Sequence, residues 1–270
     1  MGQHAGITHH RPRKRFGQNF LHDRQVIERI IATIAPRTSD TIVEIGPGLG
    51  ALTRTLITSG AQLHLVELDR DLAAHWQQQA GARLVVHAAD ALDFDFGSLA
   101  TGQATLRIVG NLPYNISTPL LFHLLSYSEC IQDMHFMLQR EVVQRLAAEP
   151  GSTDYGRLSV MVQYSCSVEP LFDVPPHAFE PQPRVVSALV RLLPQPYMHG
   201  RALDYRMLER VVREAFGQRR KTLRNALSTV LDAELLHDIG IEPSRRAETL
   251  QITEFVAIAN AAVCSMECHG

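Results

Sequence analysis

The segment Thr41–Ile45, a short β-branched run, passes directly into Gly46-Pro47-Gly48-Leu49-Gly50, and Leu52, Leu56 and Ile57 follow at helical spacing. A strand that ends in a glycine-rich turn and opens a helix begins a βαβ unit. Such units pack as a parallel sheet with helices on both faces. The pattern repeats: Gln62–Val66 and Arg83–His87 read as strands around a helix at Asp71–Gln79, and Leu106–Val109 is a fourth strand ending in Gly110-Asn111-Leu112-Pro113-Tyr114. Ligands of these sheets bind outside the carboxyl ends of the strands. Gly46, Glu67, Asp90 and Asn111 stand at four successive strand ends, so one sheet edge is the expected site.

Further along, Thr118–Ser126 reads as a helix, Met134–Leu138 as a strand and Glu141–Ala148 as a helix. Leu158–Tyr164 fits either period. Val185–Leu193 is a late strand behind a proline-dense loop at Pro175–Pro183. Beyond a linker at Pro194–Gly200 the strands stop, and Tyr205–Phe216, Lys221–Leu231, Ala233–Ile239 and Ile252–Val263 read as helices. The expected organisation is a disordered tail over 1–10, an α/β Rossmann-like catalytic domain over 11–200 and a smaller all-α domain over 201–270.

Composition narrows the class. Of 270 residues, 45% are hydrophobic and 20% charged, which excludes wholesale disorder. Apolar runs such as Val160–Val162 are too short to cross a bilayer, and Met1–His10 has no apolar core of a signal peptide. Cysteines at 130, 166, 264 and 268 are too sparse for a disulfide framework and fit a reducing, cytoplasmic setting. Net charge is −2, yet four of the five residues Arg11–Arg15 are basic and Arg201–Asn225 carries eight basic against three acidic residues. Arg13, Lys14 and Arg15, with Arg219, Arg220, Lys221 and Arg224 on an expected helix, are candidate contacts to a polyanion.

Gly46 to Ala51 fits the dinucleotide fingerprint, and Glu67, 21 residues past Gly46, is placed to accept ribose hydroxyls. NAD and S-adenosylmethionine both satisfy that loop. Two features favour S-adenosylmethionine. A carboxylate at Glu44 opposes a pyrophosphate but complements a sulfonium and an ammonium. The tetrapeptide Asn111-Leu112-Pro113-Tyr114 has no place in hydride transfer and belongs to the [Asn/Asp]-Pro-Pro-[Tyr/Phe] class of amino-methylating enzymes, with Leu112 in second place.

The chemistry explains those residue types. The lone pair of an exocyclic adenine amine is delocalised into its ring. The Asn111 side-chain carbonyl and the Leu112 backbone carbonyl can accept its N–H groups and turn the lone pair toward a methyl group. Pro113 fixes the turn, and Tyr114 offers a stacking face. A base must leave its stack to reach such a site, and Phe179 in the proline loop is the candidate second face. The methyl already sits on a cationic sulfur, so no metal is called for.

With these residues in hand, the chain resembles the rRNA adenine dimethyltransferase family. Arg13 through Leu21 is similar to that family's opening motif. Glu44–Gly50, Glu67-Leu68-Asp69, Asp90, Gly110–Thr118 and Phe179–Val185 match its later motifs in order. Ala215 through Asn225 resembles the C-terminal helix motif of its bacterial small-subunit branch. The resemblance implies an S-adenosylmethionine-dependent methyltransferase sheet. It implies that Asn19, Leu21 and Gly46 line the methionine end, Glu67 the ribose and Asp90 the adenine amine, with Asn111 where cofactor and substrate meet. It further implies a substrate of two adjacent adenosines in the 3′-terminal hairpin of 16S rRNA, each dimethylated on N6 in the assembling small (30S) subunit. A monomer is the default expectation, since the sequence does not fix the oligomeric state. The rival readings are a large-subunit rRNA methyltransferase of the macrolide-resistance type, a non-catalytic ribosome-assembly factor and an NAD-dependent oxidoreductase. Cys264 and Cys268 in the C-terminal tail have no counterpart in the family.

Overall fold

The structure, a computed structural model, describes residues 18–100, 105–113, 116–195, 198–218 and 220–268, without the side chains of 267 and 268. The tail 1–10, Arg13, Lys14, Arg15, Tyr114 and Arg219 lie outside the described residues.

In chain order the elements are β1 (Phe20–Leu21), α1 (Arg24–Ile34), β2 (Thr41–Ile45), α2 (Thr53–Thr58), β3 (Gln62–Val66), α3 (Arg70–Gln77), β4 (Leu84–His87), β5 (Leu106–Asn111), α4 (Ser117–Leu125) and β6 (Ile131–Gln139). They continue with α5 (Arg140–Leu146), α6 (Arg157–Ser165), β7 (Cys166–Val174), β8 (Phe179–Glu180) and β9 (Ser187–Pro194). Four helices follow: α7 (Tyr205–Phe216), α8 (Leu223–Ala226), α9 (Ala233–Asp238) and α10 (Ile252–Cys268).

The chain divides into two units. One comprises residues up to Val143 together with Glu169–Pro194, and the other Gln144–Val168 with Gln195–Gly270. This differs from a single boundary near residue 200. The helix α6 joins the C-terminal helices because six consecutive residues, Leu158 to Gln163, include five that are buried, and that apolar surface packs on α7 and α10.

The first unit carries a seven-stranded sheet in the order β4-β3-β2-β5-β6-β9-β7, and β1 pairs with β8 separately. Strands β2, β3, β4, β5 and β6 pair in parallel, whereas β9 runs antiparallel to β6. Strand β2 lies between β3 and β5, so the strand order reverses beside it. That reversal opens a crevice at the carboxyl ends of β2 and β5. The core draws on the apolar faces of these strands, with Ile42, Leu63, Leu65 and Val109 packed against Ile30, Ile34, Leu56 and Trp76.

Two elements were not evident from pattern alone. Helix α1 starts at Asp23, whose side chain accepts the N–H groups of Gln25 (2.9 Å) and Val26 (3.1 Å). Strand β7 is an edge strand bearing Pro170 and charged residues, a composition that edges tolerate and that masks strand periodicity.

In the second unit, the expected helix at Lys221–Leu231 is a correction. Only Leu223–Ala226 is helical. Arg220 and Lys221 precede it in non-helical backbone, Thr222 caps it in an extended conformation, and the free N–H groups of its first turn, on Leu223 and Arg224, donate to the carbonyls of Arg245 (2.8 Å) and Pro243 (3.0 Å). Arg220, Lys221 and Arg224 are all exposed.

Beneath the sheet's first unit lies a buried ionic network. Arg107 on β5 donates to both carboxylate oxygens of its register partner Asp133 on β6 (2.9 and 2.8 Å), to Asp40 (2.8 Å) and to the Ile34 carbonyl (2.7 Å). Removing one member of such a network leaves a buried charge without compensation. Arg107→Ala should therefore cost about 3–5 kcal/mol in chemical denaturation. A loss below about 1 kcal/mol would show that solvent already reaches the network.

Candidate functional site

The crevice is a cavity of about 310 Å³ lined by residues 18–21, the glycine loop, the ends of β3 and β5, and the turn at Ala89–Ala91. Asn19, Leu21, Gly46, Glu67, Asp90, Asn111 and Leu112 all line it. The structure thus gathers seven of the expected residues from five separate stretches of chain.

Each is placed by local chemistry. Gly46 and Gly48 have φ of +65° and +55°, the left-handed region that favours glycine, so the backbone turns sharply off β2. Glu67 continues β3 and is almost buried. Its Oε2 accepts the Gly48 N–H (3.2 Å) and its Oε1 accepts the Asp69 N–H (2.9 Å). One carboxylate therefore ties the glycine loop to the start of α3. Asp90 folds its own turn by accepting the Leu92 N–H (2.9 Å).

Asn111 ends β5. Its Nδ2 donates to the Asn19 carbonyl at 2.9 Å, which leaves the side-chain carbonyl as the remaining acceptor. Leu112 donates its N–H to Met137 (3.2 Å), which locks the peptide that follows the strand. The segment 18–21 is thus fastened as a wall of the cavity from three directions. Gln18 reaches Asp69 (3.5 Å), Asn19 accepts from Asn111, and β1 pairs with β8.

Phe179 is a correction. It pairs in register with Leu21, is 2% exposed and packs in the core, and it is not among the residues that line the cavity. Alternation along the short ribbon turns Phe179 inward and Glu180 outward.

The electrostatics of the edge are acidic. Glu44, Glu67 and Asp69 are all buried there. Burial pushes the Glu67 carboxyl above its ordinary value, against the pull of the Asp69 and Gly48 N–H groups. Burial raises Glu44 further, to about 7, with the Glu67 charge adding to it and Thr53 hydrogen bonds opposing. One Glu44 oxygen, Oε2, has no hydrogen-bond partner. A buried carboxylate oxygen with unmet demand suits a ligand that brings positive charge or a donor.

Sequence reasoning overlooked Gln18, Ile116 and Trp76. The first two line the cavity, and Trp76 hydrogen-bonds to the glycine loop from behind. Gln18 and Ile116 lie within the motif segments Arg13–Leu21 and Gly110–Thr118 but carry no chemistry that singles them out, and Trp76 reads as an ordinary core residue of a helix.

Polar strand ends converging at a switch point beside a glycine turn define a nucleoside-cofactor site in an α/β sheet. Residues 9–263 match the family described as ribosomal RNA adenine dimethylase, and the chain belongs to that family. It is 56% identical over 253 residues to the ribosomal RNA small subunit methyltransferase A of Tolumonas auensis, covering 93% of this chain and 94% of that protein. The fold is similar to that of a dimethyladenosine transferase from Plasmodium falciparum, with a TM-score of 0.76, 22% identity and coverage of 88% of this chain and 95% of that one. It is also similar to 23S rRNA methyltransferase ErmE, with a TM-score of 0.67, 24% identity and coverage of 91% and 100%.

The Glu44 geometry carries a pH signature. Its folded-state value of about 7 lies above the ordinary 4.5. The contribution to stability is then fully present below 4.5 and is lost as pH rises through about 7. The melting temperature of the ligand-free protein should fall across that window, and Glu44→Gln should flatten the fall. An unchanged slope in the variant would show that other groups set it.

Proposed function

We propose that this chain transfers methyl groups from S-adenosylmethionine to N6 of adenosine, two to each of two adjacent adenosines in the 3′-terminal hairpin of 16S rRNA. The substrate is the assembling small ribosomal subunit, the setting is the cytoplasm and the working form is a monomer. The observation that carries this reading is the near-full-length, 56% identity to a protein named for small-subunit rRNA methylation. The cavity supports it, because its residues suit that cofactor.

S-adenosylmethionine supplies a methyl carbon already bonded to a cationic sulfur. Asn19, Leu21 and Gly46 would hold its methionine end, and the unpartnered oxygen of Glu44 suits the positive charge there. Each Glu67 oxygen accepts one backbone N–H and keeps a further lone pair for a ribose hydroxyl. Asp90 would accept the adenine amine. On the substrate side, the Asn111 and Leu112 carbonyls accept the N6 hydrogens and orient the nitrogen lone pair toward the methyl group, while Tyr114 stacks on the base. Arg13, Lys14, Arg15, Arg219, Arg220, Lys221 and Arg224 neutralise phosphates.

The test is transfer of labelled methyl to small subunits from a strain that lacks the modification, with large subunits alongside. The expected product is N6,N6-dimethyladenosine in small-subunit RNA alone. Label on large subunits would move the chain to the other rRNA branch, and no label with cofactor bound would make it an assembly factor. In the same assay, Asn111→Ala should lower turnover by about a hundredfold or more, since an acceptor that positions the amine is gone. Near-parent turnover would remove Asn111 from the mechanism. Changing Arg220, Lys221 and Arg224 together to Glu should weaken subunit binding and flatten its salt dependence by about one log unit per lost phosphate contact, while cofactor affinity stays at the parent value. Parent-like binding across a salt titration would show that these side chains face solvent only.

A further inference from the structure

The glycine loop is gripped at Gly48 by Glu67, which lines the cavity, and by Trp76, which does not. The Gly48 N–H donates to Glu67 at 3.2 Å, and the Gly48 carbonyl accepts the indole Nε1–H of Trp76 at 3.0 Å. Trp76 stands on α3, is fully buried and is absent from the cavity wall. Its ring also fills the space under Gly50, where an added Cβ would lie 2.4 and 2.5 Å from two ring carbons. On another side, the Phe20 ring would come within 3.1 Å of a Cβ at Gly48.

This arrangement answers a physical need. Gly46, Gly48 and Gly50 all have positive φ, and a glycine-rich turn has little stiffness of its own. Its shape must come from what it rests on. An indole offers a single donor, and burying that donor without an acceptor is costly. The Trp76 N–H has the Gly48 carbonyl as its partner, so the ring both props Gly50 and holds the Gly48 peptide at a fixed angle. Glu67 cannot do this alone, because its carboxylate also serves Asp69 and, under the function proposed above, the ribose.

We infer that Trp76 is a positioning residue for cofactor binding, which acts through Gly48 and Gly50 to pre-shape the glycine loop without touching the ligand. The inference rests on the cavity being the S-adenosylmethionine site. Trp76 is also the single tryptophan of the chain, so its indole N–H reports on the loop without interference.

The experiment compares the parent with Trp76→Phe, which keeps an aromatic ring and removes the donor. S-adenosylmethionine and S-adenosylhomocysteine binding is measured by calorimetry, and turnover on small subunits is measured with each substrate varied. The parent's indole N–H resonance is followed by NMR during titration with S-adenosylhomocysteine. Cofactor affinity should fall about fivefold, the size of one neutral hydrogen bond, and KM for the cofactor should rise by the same factor. At saturating cofactor kcat should change less than about twofold. The parent indole resonance should shift with a midpoint equal to the calorimetric Kd. A folded Trp76→Phe protein with parent-like affinity would overturn the inference, as would an indole resonance that does not move at saturation. Should the variant fail to fold, the parent resonance alone decides between these outcomes. A parent that binds neither ligand would overturn the cofactor assignment itself, a result distinct from either.

Discussion

The width of the site is set by a missing side chain. Strands β2 and β5 are register partners as far as Ile45 and Gly110, and a Cβ at residue 110 would lie 2.7 Å from the Ile45 carbonyl oxygen. Any other residue there would force the two strands apart where the strand order reverses. The following residues inherit this closeness. Gly46 leaves β2 and Asn111 ends β5 side by side, near enough for one cavity to be lined by both. The Asn111 amide then reaches the Asn19 carbonyl and draws the segment 18–21 in as the facing wall.

Charge within the first unit is handled in two contrasting ways. Around Arg107 the charges are matched: two carboxylates and a backbone carbonyl meet the guanidinium at 2.7–2.9 Å. A network satisfied in this manner makes structure and asks for no ligand. At the carboxyl ends of the strands the balance is different. Asp69 caps α3, and Glu67 is met by two backbone N–H groups, but Glu44 retains an oxygen with no partner. Burial and the neighbouring Glu67 both disfavour its ionisation. The fold carries this cost in a residue that lines the cavity, where a cationic ligand would relieve it.

Much of this was legible from the chain. The β-branched runs ending in Gly46, Glu67 and Asn111 are short-range signals, and their convergence follows from the handedness and order rules of βαβ units. What could not be read were features that depend on distant partners. The role of Trp76 needs α3 to pack under the glycine loop, and no local pattern encodes that contact. Phe179 sits in a loop whose prolines suggest exposure, yet its pairing with Leu21, far away in sequence, turns the ring inward. Lys221–Leu231 has helical composition, but the helix is confined to Leu223–Ala226, with its first-turn N–H groups held by the distant segment Pro243–Arg245. In each case a partner distant in sequence takes part, which local preference does not encode.

A net charge of −2 says little about what such a chain binds, because the charge is partitioned. The cavity of the first unit is lined by Glu44, Glu67 and Asp90, with the first two buried. In the second unit Arg220 and Lys221 stand exposed on the backbone that leads into α8, and Arg224 stands exposed on α8 itself. Buried carboxylates act over a few ångströms in a medium of low polarisability, where a ligand's own positive charge counts strongly. Exposed cations act through counterion release along a polyanion, an effect that salt weakens. A small cationic cofactor and a large anionic substrate therefore make opposite demands that need not cancel. Under the proposed function each would be met in its own dielectric, and the sum over the chain, near zero, would conceal both.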